Sequence, residues 1–87
     1  MSRVMLITGA AGGIGRGTAS IFAEAGWHVV GVDRQEARDI PGVARFIRAD
    51  ISDPSALEAL FSGIQTEEQR LDALVNNAAV QICKPLV

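Results

Sequence analysis

The chain has 87 residues, a formal net charge of −2 and 48% hydrophobic residues, which allow at most one small domain and exclude a disordered chain. Its mild acidity, with a pI near 5.2, gives no electrostatic footprint for nucleic acid, and no apolar run approaches the roughly 20 residues that span a bilayer. The apolar part of MSRVMLITGAAGG is shorter than the about 7–15 residues of a signal-peptide core, and Cys83 is the single cysteine, so no internal disulfide forms and a reducing cytoplasm is the expected location.

Val4 to Ile7 is a short continuous apolar run, which predicts a strand covered on both faces. The glycines Gly9, Gly12, Gly13, Gly15 and Gly17 follow at once. Ile14, Thr18, Ile21, Phe22 and Ala25 then recur at helical spacing, and Gly26 is a natural stop. WHVVGVD, Trp27 to Asp33, predicts a second strand. RQEARDIPG, Arg34 to Gly42, leaves room for one or two helical turns before Pro41-Gly42. ARFIRADI, Ala44 to Ile51, predicts a third strand. SDPSALEALFSGI, Ser52 to Ile64, predicts a helix with Asp53 as cap, Pro54 at its first position and Ala56, Leu57, Leu60, Phe61 and Ile64 along one side. LDALVNNAA, Leu71 to Ala79, predicts a fourth strand running into a turn. Alternating strands and helices imply a parallel sheet with helices on its faces. Right-handed crossovers make it the first half of a Rossmann-type, doubly wound α/β fold with strand order 3-2-1-4.

A glycine cluster between a strand and a helix has a mechanical use. One glycine permits the tight turn, another leaves the backbone bare for a pyrophosphate, and a third lets the helix pack closely on the strand. The first-turn N–H groups of the helix have no internal partners and favour an anion. A ligand-free turn is the plain alternative. A Walker A loop is excluded because Gly15 is followed by Arg16-Gly17-Thr18, with no lysine. A methyltransferase-type loop is disfavoured by the gap between Gly9 and Gly13.

Asp33 ends the second strand at roughly the 20 residues after the loop where a dinucleotide fold places a ribose-binding acid. Its charge would repel a 2′-phosphate, which favours NAD over NADP, although Arg34 beside it can hold a phosphate or stack on adenine. Asp33 as a turn residue is the alternative. Asp50-Ile51, after the third strand, reads as an adenine contact or as loop capping near Ser52-Asp53. In NNAA, Asn76 and Asn77 can tie neighbouring loops, while Ala78 and Ala79 allow close backbone approach; a plain turn explains them equally. His28 begins the second strand, away from these groups, and reads as structural. Cys83, Trp27 and Phe22 read as packing residues, and no metal site is expected.

Together these residues resemble the N-terminal part of the short-chain dehydrogenase/reductase family. TGAAGGIG (Thr8 to Gly15) is similar to its TGxxxGxG motif, VD to its strand-two acid, ADI to its adenine contact and LVNNAA to its NNAG element. The resemblance implies that Gly9, Gly12, Gly13, Ile14 and Gly15 form the dinucleotide loop, with Ile14 offering its N–H to the pyrophosphate. It implies Asp33 and Arg34 at the adenosine ribose, Asp50 and Ile51 at adenine, Asn77, Ala78 and Ala79 along the nicotinamide-side ribose, and a structural Asn76. Ala79 stands where the family usually has glycine, and the segment from Arg34 to Arg45 is shorter than in many members.

The implied reaction is hydride transfer between NAD(H) and an alcohol/carbonyl pair. The family's Ser and Tyr-x-x-x-Lys have no matching positions, and the sequence has no tyrosine, so no catalytic residue carries over. Residues 1–87 therefore read as a partial NAD(P)-binding domain ending before the catalytic segment, binding dinucleotide without turnover. The family is usually homo-oligomeric, through helices with no counterpart here. The alternative is a non-catalytic dinucleotide-binding or interaction module; the ending CKPLV favours truncation. An open fourth strand is expected to leave the isolated chain marginal or aggregation-prone.

Overall fold

Val4–Thr8 forms strand β1, buried at every position, as an apolar run covered on both faces requires. In the computed structural model, which describes residues 2–77, it is followed by helix α1 (Gly13–Glu24), strands β2 (His28–Asp33) and β3 (Arg45–Arg48), helix α2 (Pro54–Glu67) and strand β4 (Ala73–Asn76). All pairings are parallel and the order is β3-β2-β1-β4, the order expected from the sequence. The register sets Thr8 beside Val32 and Asn76, and Asp33 beside Arg48. The C-terminal ends of the strands therefore share one edge, where ligands bind in open α/β sheets.

Alternate residues of each strand face opposite sides. Val4, Leu6, Val30 and Val32 meet Leu60 and Ile64 of α2 on one face. Met5, Ile7 and Val29 meet Ala10, Ala19 and Ile40 on the other, with Phe22, Ala23 and Trp27 packed alongside. The Trp27 ring stands edge-on to Phe22 at 5.6 Å and carries the Arg3 guanidinium 4.5 Å from its centroid, so both aromatics are packing residues as expected.

The spacing of apolar residues locates α1 but does not mark its buried side. Ile14 is 76% and Ile21 68% exposed, whereas Gly15 and Ala19 are buried. Small residues let the helix axis lie close to the sheet, and that proximity turns the larger isoleucines outward.

No helix forms between Arg34 and Gly42, contrary to the expectation of one or two turns. Pro41 disfavours the helical region for Ile40, and the backbone at Asp39 and Gly42 has φ of 53° and 86°. The irregular loop instead drops Ile40 into the core, with Ala37 and Val43 beside it. It lies directly on α1: a Cβ at Gly42 would sit 2.9 Å from Ala23 Cβ and 3.0 Å from the Ala19 carbonyl oxygen.

Strand β3 stops at Arg48, short of the expected Ile51, and β4 starts at Ala73, two residues after the expected Leu71. Asp72 fixes that start: its N–H donates to Val4 O at 2.8 Å, and its Oδ2 accepts from Val4 N at 2.8 Å. The Arg70 guanidinium pairs with the same carboxylate and is the main cause holding it below the ordinary aspartate pKa.

Helix α2 starts as expected, with Pro54 at its head and Asp53 Oδ1 accepting from Ser55 N at 3.0 Å. It continues to Glu67, past the expected Ile64. Beyond that end, the Glu68 carboxylate accepts from Arg45 Nε and Nη2 at 2.9 and 2.7 Å and lies 3.2 Å from His28 Nε2. This cluster pins the end of α2 to the starts of β2 and β3, opposite the strand C-termini. Its side chain is 5% exposed, and the Arg45 hydrogen bonds, with His28 adding, hold the Glu68 carboxyl below the ordinary glutamate range.

Candidate functional site

The backbone hydrogen bonds of the glycine loop decide what it can hold. Ala10 N donates to Val32 O at 3.1 Å and Gly12 N to Gly9 O at 3.2 Å. Ala11 N donates to Asp33 Oδ2 at 3.0 Å. The helical ladder begins with Arg16 N on Gly12 O at 2.9 Å. Between these, the N–H groups of Gly13, Ile14 and Gly15 have no acceptor within the helix. Gly12, the N-cap, makes no side-chain cap, and the first turn holds no acidic residue. The positive end of α1 is thus left for an external anion.

The three expected glycine roles fall on separate residues. Gly9, at φ 68°, makes the turn out of β1. Gly13 has nothing within 4 Å of a built Cβ, so its backbone is bare. At Gly15 a Cβ would collide with the Gly9 carbonyl oxygen and sit 2.9 Å from Ala10 Cα, so this glycine sets the close approach of helix to loop.

An open groove of about 950 Å³ runs along the strand C-termini. Gly9, Gly12, Gly13 and Ile14 form one wall, and Thr8, Asn76 and Asn77 close the end by β4. Val32 and Asp33 end β2, Arg34 and Gln35 follow it, and Ala49, Asp50, Ile51 and Ser52 follow β3. Every described residue expected at the cofactor lies on this groove except Gly15, which sits beneath the loop and shapes it without lining it. Ala78, Ala79 and Cys83 lie outside the described residues.

Both Asp33 oxygens are oriented by backbone donors, Oδ2 by Ala11 N and Oδ1 by Gln35 N, each at 3.0 Å. Each oxygen keeps a second lone pair, so the carboxylate can still accept from hydroxyl groups in the groove. Asp50 Oδ1 accepts from Ser52 Oγ at 2.7 Å and Ser52 N at 3.0 Å, which is the loop-capping arrangement. The Ser52 hydroxyl chiefly, with Ser52 N and the nearby Arg34 charge also contributing, holds Asp50 below the ordinary aspartate pKa.

Asn76 ties β4 to β1 through its side chain, and Asn77 joins through its backbone N–H. The partner is Thr8, absent from the residues assigned to the site by sequence although it begins the TGAAGGIG stretch. Its hydroxyl, on a residue only 5% exposed, donates to Asn76 Oδ1 at 3.0 Å and accepts from Asn77 N at 2.9 Å. Arg16 was also missed: its Nε donates to Ala11 O at 2.9 Å. His28 lies at the opposite end of the sheet, on Glu68. Among the described residues no group of three or more His, Cys, Asp or Glu side chains can hold a metal ion, and no helix is long and apolar enough to cross a membrane.

Residues 3–86 match the family model for short chain dehydrogenases. The chain is 39% identical over 87 residues to a 3beta-hydroxysteroid dehydrogenase of Mediterraneibacter gnavus, an alignment covering 90% of this chain and 32% of that protein. The crystal structure of 3-ketoacyl-(acyl-carrier-protein) reductase from Brucella melitensis, complexed with NADH, superposes with a TM-score of 0.74 at 36% identity, over 83% of this chain and 32% of the reductase. The structure of 4-hydroxyisoleucine dehydrogenase complexed with NADH gives 0.79 at 26% identity, over 98% of this chain and 37% of the dehydrogenase. The chain spans about a third of the length of each of these proteins.

Proposed function

The chain belongs to the short-chain dehydrogenase family, and from that premise we propose that its groove binds NAD as the cofactor-binding part of an oxidoreductase. The nicotinamide of the bound cofactor would supply hydride exchange with an alcohol/carbonyl pair. The observation that carries the binding reading is the placement of two complementary groups in one groove. The unneutralised N-terminus of α1, bare at Gly13, favours the pyrophosphate. The oriented carboxylate of Asp33 favours ribose hydroxyls.

In this reading Gly9, Gly12, Gly13 and Ile14 hold the pyrophosphate, and Gly15 acts by holding the helix against the loop. Asp33 takes the adenosine ribose, with Arg34 flanking it. Asp50 and Ile51 form the adenine wall, and the Ser52 contacts on Asp50 Oδ1 fix the carboxylate that would accept from the adenine amino group. Asn77, with Ala78 and Ala79, lies along the nicotinamide-side ribose, while Asn76 serves the Thr8 tie. The 87 residues contain no tyrosine, and no catalytic residue is assigned; the substrate class in this reading is a small alcohol or carbonyl compound.

Asp33 favours NAD because a 2′-phosphate would face a carboxylate held in place by two N–H groups. Parallel titrations of NAD and NADP test this. NAD is expected to bind at least about tenfold tighter, a difference of about 1.4 kcal/mol, and Asp33→Ser is expected to narrow that ratio. Equal affinities would overturn the NAD assignment, and binding of neither would overturn the site.

A further inference from the structure

We infer that Arg16 is a positioning residue for the dinucleotide loop, an inference that rests on the binding reading above. A single residue, Ala11, is gripped by side chains through both of its backbone polar groups, which lie in successive peptides. Its N–H donates to Asp33 Oδ2 at 3.0 Å, and its carbonyl accepts from Arg16 Nε at 2.9 Å. The neighbouring loop N–H groups, those of Ala10 and Gly12, are held by backbone acceptors alone. Arg16 holds two successive carbonyls, Gly12 O through its backbone N–H and Ala11 O through its side chain. One side chain reaches the loop from the end of β2 and the other from the first turn of α1.

Arg16 does not line the groove, so its effect passes through Ala11. A loop containing Gly9, Gly12 and Gly13 has more backbone freedom than one without glycine, and ordering it on binding costs affinity. Fixing Ala11 beforehand removes part of that cost for the loop that carries the Gly13 and Ile14 N–H groups. It also gives Asp33 a second task. The carboxylate that meets the ribose also grips the N–H of Ala11, so Asp33 serves both the adenosine part and the loop.

Arg16→Ala and Arg16→Gln test the assignment, because glutamine keeps a donor without the charge. In Arg16→Ala, which frees the Ala11 carbonyl, amide hydrogen exchange at Ala11 and at Gly12, whose N–H shares the peptide of that carbonyl, is expected to rise about 3–10-fold as the loop loosens, with exchange at Leu6 and Val30 unchanged. Affinity for NAD and for ADP is expected to fall by a similar factor, and affinity for adenosine, which has no pyrophosphate, to hold. Arg16→Gln is expected to recover part of both losses at low and at high salt. Unchanged exchange at Ala11 and Gly12 in Arg16→Ala would overturn the inference. So would an affinity loss that Arg16→Gln shares in full and that vanishes at high salt, since Arg16 would then act as a charge. If the unsubstituted chain binds no NAD, the dinucleotide reading is overturned, and the exchange rates still decide whether Arg16 fixes the loop.

Discussion

Thr8 Oγ1 accepts the backbone N–H of Asn77 at 2.9 Å, joining the end of β1 to the residue after β4. The same hydroxyl donates to Asn76 Oδ1, so one nearly buried group meets the last residue of the neighbouring strand and the one that follows it. Thr8→Val keeps the shape and removes the hydroxyl, leaving the Asn77 N–H and Asn76 Oδ1 without it. It is expected to cost about 1–3 kcal/mol, and Thr8→Ser clearly less, in urea denaturation. A Thr8→Val chain as stable as the unsubstituted one would contradict the tie.

The glycines of the loop are separable by what an added methyl group meets. Gly15→Ala places a Cβ against the Gly9 carbonyl and Ala10 Cα, forcing α1 away from the loop. It is expected to destabilise by about 1–3 kcal/mol and to weaken NAD binding as well. Gly17→Ala meets nothing within 4 Å inside α1 and is expected to stabilise by about 0.5–1 kcal/mol. Gly13→Ala also meets nothing within the protein, so a loss of NAD affinity at undiminished stability would report a ligand in that space. Thermal melts paired with NAD titrations separate the three.

Gly42 is where the loop that replaces a helix presses on α1. Its φ of 86° disfavours any residue with a Cβ, and that Cβ would sit within 3.0 Å of Ala23 Cβ and the Ala19 carbonyl oxygen. Gly42→Ala is expected to cost about 2–4 kcal/mol, combining backbone strain with overpacking. Chemical denaturation checks it, and a loss no larger than that of Gly26→Ala, which shares a positive φ but meets nothing within 4 Å, would show that the loop can lift off the helix.

Glu68 links stability to acid pH. Its folded pKa is depressed, chiefly by Arg45, so its contribution is present above the ordinary glutamate pKa of about 4.3. That contribution is lost as pH falls through the lower folded value. Asp50 and Asp72 are depressed in the same direction and share this acid limb. Glu68→Gln is expected to lower stability by about 1–3 kcal/mol near neutrality and to flatten the limb. Urea midpoints measured from acid to neutral pH check both, and an unchanged slope in Glu68→Gln would assign the limb to the two aspartates.

The four strands, the two long helices and most of the groove were legible in the sequence because local signals encode them, and right-handed crossovers then give the strand order. The apolar run at Val4 to Ile7, the glycines that follow it and the acid closing WHVVGVD each act over a few residues. The Asp53-Pro54 helix start is equally local, and the structure repeats it.

Tertiary structure alone decided the rest. The buried side of α1 depends on how closely Gly15 and Ala19 let it approach the sheet, which apolar spacing does not encode. The segment from Arg34 to Gly42 forgoes a helix because Ile40 has a core site to fill beneath it. Thr8 gained its role from groups at the end of another strand, and Glu68 gained its role from side chains on two strands. A hydrogen bond between Thr8 and Asn77 joins residues 69 apart. Residue type and spacing announce such a pair only after the strands between them have chosen their neighbours.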